Sequence, residues 1–160
     1  MTKEKVTPRE VAVALPFCRD QDGAVHICLV TSRKHDGKYV LPKGGVEKSD
    51  ADSRSAAIRE MWEEAGLRPS AQQQQPGPSN SIRDHKPHKH SPSPDPSSDD
   101  FVPRAVYTAH QVQIERGAAG EESQWPEMDE RARAWFPLDV ACEKTAWRGD
   151  IGQLLRAAQF

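Results

Sequence analysis

Two apolar runs near the start of the chain predict its first strands. The residues VAVALPFC at 11–18 and VHICLVTS at 25–32 are rich in β-branched side chains, which favour strands. Between them, RDQDGA contains an Asp-Gly pair, a strong signal for a tight turn between paired strands. A third extended piece, KYVLP, precedes KGG, where a lysine and two glycines predict a tight loop with close backbone approach. The pattern predicts a hairpin followed by a third strand and a loop.

The next stretch changes to the spacing of a helix. In SDADSRSAAIREMWEEAGL, polar N-cap candidates come first, and Ala56, Ala57 and Met61 follow at helical spacing. Glycine is the residue type that most often follows a helix in the left-handed conformation. The pattern therefore predicts a helix that stops at Gly66.

After residue 100 the chain returns to strand and helix patterns. RAVYTAHQVQIE alternates as a strand does, and RARAWFPLDVACEKT predicts a strand that leads into a helix. GDIGQLLRAAQ fits an amphipathic helix. Together the elements predict a mixed α/β domain.

The segment 70–100 lacks the apolar residues that a packed element needs. It contains QQQQPGPSN and HSPSPDPSSDD, so burial cannot offset the entropy of ordering it, and we predict a disordered insert at 70–100. His85, His88 and His90 lie in this insert, where fixed metal-binding geometry is not expected. The residues outside it, about 130 in number, suffice for one core, so we predict a single domain over 1–160.

Charge and composition narrow the classes of partner. The 22 Lys and Arg against 24 Asp and Glu give a formal net charge of -2, which argues against a general attraction to nucleic acid or an anionic membrane. No apolar run reaches the roughly 20 residues that a bilayer requires, and MTKEKVTPRE lacks the apolar stretch of a secretory signal. The three cysteines have no metal-ligand spacing and are expected to be free thiols. We therefore expect a soluble protein of the cytoplasm, the nucleus or both.

The predicted helix concentrates like charge in REMWEEAG at 59–66. On a helix, Glu60 and Glu64 are displaced by only about 40°, and Glu63 lies about 60° to the other side of Glu60, so the three carboxylates can converge. Carboxylate oxygens are preferred ligands of Mg²⁺ and Mn²⁺, and such a cation would relieve their repulsion. The alternative is an ordinary solvated acidic face, because Glu is a common helix former.

A longer stretch around this helix resembles a known motif. LPKGGVEKSDADSRSAAIREMWEEAGL resembles the Nudix box, G-x5-E-x7-R-E-U-x-E-E-x-G-U, in which U is apolar. The second half of the box matches at Arg59, Glu60, Met61, Glu63, Glu64, Gly66 and Leu67. Standard spacing puts the upstream glutamate at Ala51 and the glycine at Gly45. Counting forward from Gly44 instead reaches Asp50, which is then expected to take the supporting role of that glutamate.

The details of the resemblance favour one branch of the family. A box lengthened by one residue, with KGGVEK before it, is similar to that of the diphosphoinositol polyphosphate phosphohydrolases. WPEMDERARAWFPLDVACE also resembles the W-P-E-x-x-x-R-x-R-x-W segment of that branch. The resemblance implies an α/β/α sandwich around a mixed sheet and a metal-dependent hydrolase that acts on phosphoanhydrides.

The resemblance also implies roles for the residues of the box. Glu60 and Glu64 are expected to bind Mg²⁺, with Mn²⁺ as an alternative metal, and the carbonyl of Gly44 is a further candidate ligand. Glu63 either completes the metal site or accepts the proton of the attacking water. Arg59 is expected to orient a glutamate, or it forms only a helix salt bridge.

Basic residues outside the box predict a rim for an anionic substrate. They are Arg9, Arg33, Lys34, Lys38 and Lys43, and the same substrate would contact Gly44 and Gly45. Each cation alone is more often solvated surface charge, but their clustering around one predicted loop favours a joint role. Arg131 and Arg133 either add to this rim or pair with Glu127 and Asp129.

These features support one leading function over several competing ones. The leading hypothesis is Mg²⁺-dependent removal of the β-phosphate from diphosphoinositol polyphosphates, together with cleavage of diadenosine polyphosphates, so that the partner is a small polyphosphorylated molecule. A competing hypothesis is an enzyme that acts on dinucleoside polyphosphates or capped RNA, although 4 Trp, 4 Phe and 2 Tyr offer few rings for stacking bases. The chain could also be a non-catalytic binding module of the same fold, or an interaction protein whose insert recruits partners.

Overall fold

Strands and helices alternate along the chain in the computed structural model, which describes residues 5–71 and 77–160. The strands are β1 Arg9–Arg19, β2 Val25–Thr31, β3 Tyr39–Val40, β4 Lys43–Gly45, β5 Ser79–Arg83, β6 Ala105–Gln113 and β7 Arg133–Pro137. The helices are α1 Ser53–Ala65, α2 Leu138–Thr145 and α3 Gly149–Ala157. Within the described residues, no helix has the length and apolar character needed to cross a bilayer.

The described strands form one mixed sheet. Its central order is β3-β2-β1-β6-β5, and β4 pairs with β1 while β7 pairs with β2. β1 and β6 run parallel, with Arg9 opposite Ala105 and Phe17 opposite Gln113. The remaining pairs are antiparallel, including the β1–β2 hairpin, which turns at Gly23 with φ 82°. The predicted hairpin, the third strand and the two later strands are confirmed.

Alternation along β1 divides its side chains between two cores on opposite faces of the sheet. Val11, Val13 and Leu15 pack in one core with residues of α2 and α3. Ala12 and Ala14 pack in the other core with residues of α1. Because helices cover both faces, the sequence of β1 is an almost continuous apolar run. The arrangement is the predicted α/β/α sandwich.

The sequence signals at the two ends of α1 are confirmed. The Asp52 carboxylate accepts a hydrogen bond from the Ser55 N–H at 2.7 Å, which satisfies a donor of the first turn. Gly66 follows the helix with φ 65°, and its N–H donates to the Trp62 carbonyl. A Cβ at Gly66 would also overlap the ring of Trp125, so both backbone and packing require glycine there. The helix that carries the glutamates therefore has both ends fixed.

The KGG sequence forms a strand, which corrects the prediction of a tight loop. Lys43–Gly45 pairs antiparallel with β1, where Val11 lies opposite Gly45 and Val13 opposite Lys43. β2 occupies the same edge of β1 only from Phe17 onward, so the earlier backbone groups of β1 need another partner. The short strand β4 supplies that partner.

Part of the segment 70–100 is regular structure, which contradicts the prediction of a disordered insert. β5 pairs antiparallel with β6 at the edge of the sheet. Past β5 the chain returns to the sheet through a bridge between Pro87 and Pro103. Hydrogen bonds to the backbone of β6 thus order a stretch whose composition offers little apolar surface. Residues 72–76 of the predicted insert lie outside the described residues.

Met61 anchors α1 to the sheet, because its side chain is fully buried, with 0% exposed. We expect Met61→Ala to lower the free energy of unfolding by about 2–5 kcal/mol, since the truncation leaves a cavity beneath the helix. Urea denaturation followed by circular dichroism measures the change. Met128→Ala is the matched control, because Met128 is 40% exposed and its loss should change stability by less than about 0.5 kcal/mol. Equal losses in the two variants would contradict this placement of the core.

Candidate active site

Glu64 is the most deeply buried glutamate of the box, with 6% of the residue exposed. Its Oε2 accepts a hydrogen bond from the Lys43 N–H of β4 at 3.0 Å. Its Oε1 accepts one from the Arg131 guanidinium at 3.3 Å. Glu60 lies one turn earlier on the same face of α1, also beside β4. The helix therefore directs these two carboxylates toward the strand that the KGG sequence forms.

Arg59 connects the acidic residues of the box to one another. It donates from Nε and Nη2 to the two carboxylate oxygens of Asp50, at 3.1 and 3.0 Å. Its Nη1 donates to Glu60 at 3.0 Å and to Glu63 at 3.4 Å, and its Nη2 also donates to the Gly45 carbonyl at 3.3 Å. The hydrogen bonds from Arg59 hold the pKa of Asp50 below its usual value. Of the two ways to count the motif, the one that starts at Gly44 therefore selects the acid that Arg59 binds.

The two glycines of β4 let charged side chains lie directly against its backbone. A Cβ built at Gly44 would overlap the carboxylate of Glu60. A Cβ built at Gly45 would lie 2.9 Å from Nη2 of Arg9. The close backbone approach predicted for this sequence is therefore present on both sides of the strand, with an acid at one glycine and a base at the next.

The largely buried glutamates carry negative charge that neighbouring cations do not fully compensate. Burial raises the pKa of Glu64 to about 7, although the charge of Arg131 and the Lys43 N–H act in the opposite direction. Burial, and next the charge of Glu63, raise the pKa of Glu60. A raised pKa means that the ionised carboxylate is unfavourable in its present surroundings. Hard oxygen donors in this state fit Mg²⁺ or Mn²⁺, which would supply the missing positive charge.

A separate group of potential ligands lies outside the box. Among the described residues, Asp84, His85 and Asp150 are the only His, Cys, Asp or Glu residues that bring three ligand atoms within 4.8 Å of one another. Asp84 is already engaged by Arg104 and by the Tyr107 hydroxyl, which donates to it at 3.0 Å. The glutamates of the box do not form such a group, so cation binding there would draw their carboxylates together.

A cavity of about 1010 Å³ opens beside β4 and α1. The predicted site residues that line it are Arg9, Arg33, Lys34, Lys43, Gly44, Gly45, Glu60 and Glu64. Arg59, Asp50 and Glu63 do not line it, and Arg59 donates hydrogen bonds to both of these acids. Lys38 does not reach the cavity either, since its residue closes the turn between β2 and β3. The structure therefore brings together most of the predicted rim but not Lys38.

Some residues of the cavity are not among those predicted for the site. They are His35, Arg104, Tyr107, Glu127 and Arg148, and Arg131 joins them as the prediction allowed. Most come from segments far from the box in sequence. The sequence offered one signal for Arg104. It directly precedes the strand β6, just as Arg9 stands at the start of the strand β1. The parallel pairing that brings these strand starts together is a tertiary feature.

The cavity carries an excess of positive charge away from the glutamates. Arg9, Lys43 and Arg148 have no carboxylate within ion-pair distance in the described part of the chain. Burial, and next the charge of Arg148, lower the pKa of Lys43. Arg33 differs, because its guanidinium pairs with Glu130 at 3.0 Å and is half exposed. Three cations of the cavity lining thus have no acidic partner among the described residues, whereas Arg33 has one.

The segment that begins with W-P-E at residues 125–127 binds the C-terminal end of α1. The Trp125 indole N–H donates to the Glu64 carbonyl at 3.1 Å, and the Glu127 N–H donates to the Glu63 carbonyl at 3.0 Å. Arg133 donates to the carbonyl of the last helical residue at 2.9 Å and lies 4.4 Å from the centre of the Trp125 ring. These contacts satisfy carbonyls that have no partner inside the helix. Arg133 therefore serves the helix and not the predicted rim.

Comparison with known proteins identifies the family. Residues 8–158 match the family model of the NUDIX domain, so the chain belongs to the Nudix family. Its mixed sheet between helices is the Nudix fold. Over 78 aligned residues the chain is 37% identical to the Nudix hydrolase NudL of Salmonella paratyphi B, in an alignment that covers 44% of this chain and 38% of NudL. The chain therefore matches well under half the length of that curated relative.

Solved structures with the same fold cover almost the whole chain. A binary complex of the Caenorhabditis elegans Ap4A hydrolase aligns with a TM-score of 0.60 at 17% identity, over 92% of this chain and 93% of that one. The NUDIX domain of Shewanella oneidensis NrtR, complexed with ADP ribose, aligns with a TM-score of 0.55 at 13% identity, over 97% and 91% of the two chains. At these identities the likeness concerns the fold.

Proposed function

We propose that this chain is a metal-dependent hydrolase that cleaves a phosphoanhydride bond in a small polyphosphorylated molecule. The observation that supports this function is the charge distribution of the cavity. The carboxylates of Glu60 and Glu64 share it with Arg9, Lys43 and Arg148, which have no acidic partners among the described residues. Such a cavity suits a divalent cation at the carboxylates and phosphate groups at the remaining cations.

Each residue of the box would have its own role in the reaction. Glu60 and Glu64 would bind Mg²⁺, with Mn²⁺ as the alternative and the Gly44 carbonyl as a further ligand. When bound, the ion neutralises phosphate oxygens and lowers the pKa of a bound water. Glu63 either completes the set of ligands or accepts the proton of the attacking water. Arg59 orients Glu60 and Glu63 through its Nη1 hydrogen bonds.

Within this class, we propose diphosphoinositol polyphosphates as the principal substrates and diadenosine polyphosphates as the second. The lining of the cavity supports an inositol substrate, because it contains several arginines and lysines but, in its described part, only the Tyr107 ring besides histidine. An inositol that carries many phosphates presents anions in several directions, which cations spread around a cavity can bind. The sequence resemblance to the diphosphoinositol polyphosphate phosphohydrolases supports the same choice.

One observation favours a nucleotide substrate instead. His35 lines the cavity, and its ring packs on that of Trp147 with 4.9 Å between ring centroids. An aromatic pair of this kind can stack on a base. The substrate would then be a dinucleoside polyphosphate or capped RNA.

A panel of substrates separates these functions. We expect the purified protein with Mg²⁺ to release phosphate from diphosphoinositol polyphosphates and to cleave diadenosine polyphosphates, with much slower decapping of RNA. Chromatography of the products measures each reaction, and the same reactions with EDTA are the control, since removal of the metal should abolish them. Cleavage of nucleotides alone would establish the nucleotide hydrolase. Binding of these compounds without any turnover would establish a non-catalytic module.

A further inference from the structure

Arg104 is held in a fixed position at the point where the chain returns to the sheet. Its N–H donates to the Lys86 carbonyl at 3.0 Å, and its carbonyl accepts the Arg9 N–H at 3.0 Å. Its side-chain Nε donates to Asp84, which also accepts the Tyr107 hydroxyl. The side chain of Arg104 is still 48% exposed and lines the cavity. The pairing through Nε therefore leaves the outer edge of the guanidinium for a ligand.

The carboxylate that holds Arg104 is completely buried, with 0% of its side chain exposed. Burial raises the pKa of Asp84, but hydrogen bonds from the Lys86 N–H, Arg104 and the Tyr107 hydroxyl together lower it below the usual value. The pair contributes little net stability, because the Asp84 charge loses its hydration while Arg104 stays half exposed to solvent. The pair with Asp84 does fix the direction of the Arg104 side chain.

Arg104 lies on the opposite edge of β1 from the glutamates. Glu60 contacts Gly44 in β4, which flanks β1 on one edge, while Arg104 immediately precedes β6 on the other edge. Two strand spacings, or about 10 Å, separate β4 from β6. Arg148 lines the same cavity as Lys43 of β4 and Tyr107 of β6. The cavity therefore extends from the carboxylates across the sheet to Arg104.

We propose that Arg104 binds a phosphate group of the substrate that is not cleaved, and that Asp84 is the positioning residue that directs Arg104 to it. The proposal rests on the proposed function, because it concerns the substrate of the same cavity. A diphosphate alone held at Glu60 does not extend across two strand spacings, whereas phosphates around a ring or along a longer chain do. Arg104 therefore selects for multiply phosphorylated substrates over short diphosphates.

Binding measurements without turnover test this proposal. Isothermal titration calorimetry would give the Kd of inositol hexakisphosphate and of inorganic pyrophosphate for the native chain, Arg104→Gln and Asp84→Asn. For Arg104→Gln we expect inositol hexakisphosphate to bind roughly tenfold more weakly and pyrophosphate to bind nearly as before, since one charge-assisted contact is lost from the larger ligand alone. Lys89→Gln is the matched control, because it removes one positive charge from the same segment outside the cavity lining.

Asp84→Asn distinguishes positioning from simple electrostatics. The substitution removes a negative charge near the site, so electrostatics alone would strengthen the binding of an anion. If Asp84 directs Arg104, inositol hexakisphosphate should instead bind several-fold more weakly while pyrophosphate is unaffected. Tighter binding in Asp84→Asn, or unchanged binding in Arg104→Gln, would overturn the proposal. Should Arg104→Gln fail to fold, Arg104→Lys gives the same test, because an ammonium cannot pair with Asp84 and a phosphate in the same fork geometry.

The outcome is separable from that of the proposed function. If no substrate is hydrolysed but inositol hexakisphosphate binds and depends on Arg104, the proposed hydrolase is wrong and the subsite stands. If substrates are hydrolysed but the Kd values do not depend on Arg104, the hydrolase stands and the subsite is wrong. If the native chain binds no inositol hexakisphosphate, the subsite is wrong whatever the turnover.

Discussion

Glu64→Gln is expected to lower Mg²⁺-dependent turnover by roughly a thousandfold while the fold stays intact. Glutamine has the shape of glutamate, and its amide oxygen can still accept the Lys43 N–H that now donates at 3.0 Å. The substitution removes the negative charge of the most buried carboxylate in the cavity. A bound metal contributes several kcal/mol of transition-state stabilisation, and each ~1.4 kcal/mol lost is a tenfold loss of rate.

Two measurements and one control check this result. Initial rates at saturating substrate give kcat, and a Mn²⁺ titration gives the apparent metal affinity, which should fall together with kcat. Glu143→Gln is the matched control, because Glu143 is exposed on α2 and does not line the cavity. A folded Glu64→Gln variant whose turnover and metal affinity match those of the native chain would exclude Glu64 as a metal ligand.

Gly44→Ala is expected to reduce turnover by about a hundredfold, although it adds only one methyl group. The new Cβ would overlap the carboxylate of Glu60, which must then rotate away from β4. Misplacing one reactive group by about 1 Å is enough for a loss of this size. Because Glu60 also accepts a hydrogen bond from Arg59, its displacement would disturb the arginine that links the box.

Gly149→Ala provides the comparison for Gly44→Ala. Gly149 begins α3, and a Cβ built there meets no atom within 4 Å. This control should keep native activity and gain slight stability, since alanine favours a helix more than glycine does. The decisive comparison is kcat for the two variants after each is shown to melt cooperatively. Native activity in Gly44→Ala would mean that the position of Glu60 against β4 is irrelevant to turnover.

Local signals explain why α1 and the hairpin were predictable from the sequence. The N-cap at Asp52, the left-handed Gly66 and the Asp-Gly turn each act within a few residues, so the sequence alone contains their cause. β5 was not predictable in the same way. Its residues form a strand because an edge of β6 is available to them, and that edge is created by residues about 25 positions later in the chain.

In the candidate site, too, features set by nearby residues were predictable and features set by distant residues were not. Helical spacing correctly places Glu60 and Glu64 on one face of α1, where both line the cavity. The same spacing predicted that the Glu63 carboxylate converges with these two. In the structure, Glu63 is bound by Arg59 and does not line the cavity. Arg104 reaches the cavity through the pairing of β6 with β1, and Arg148 reaches it from the turn before α3, so both depend on the tertiary fold.

The parallel pairing of β1 with β6 has a consequence for synthesis of the protein. Arg9 and its partner Ala105 are 96 positions apart, so β1 leaves the ribosome long before the strand that completes its ladder. Until then the apolar β1 presents an unpaired edge on which nascent chains can associate. Contacts between such distant positions also slow folding. Residues 9–19 are therefore exposed to association with other chains well before the cavity exists.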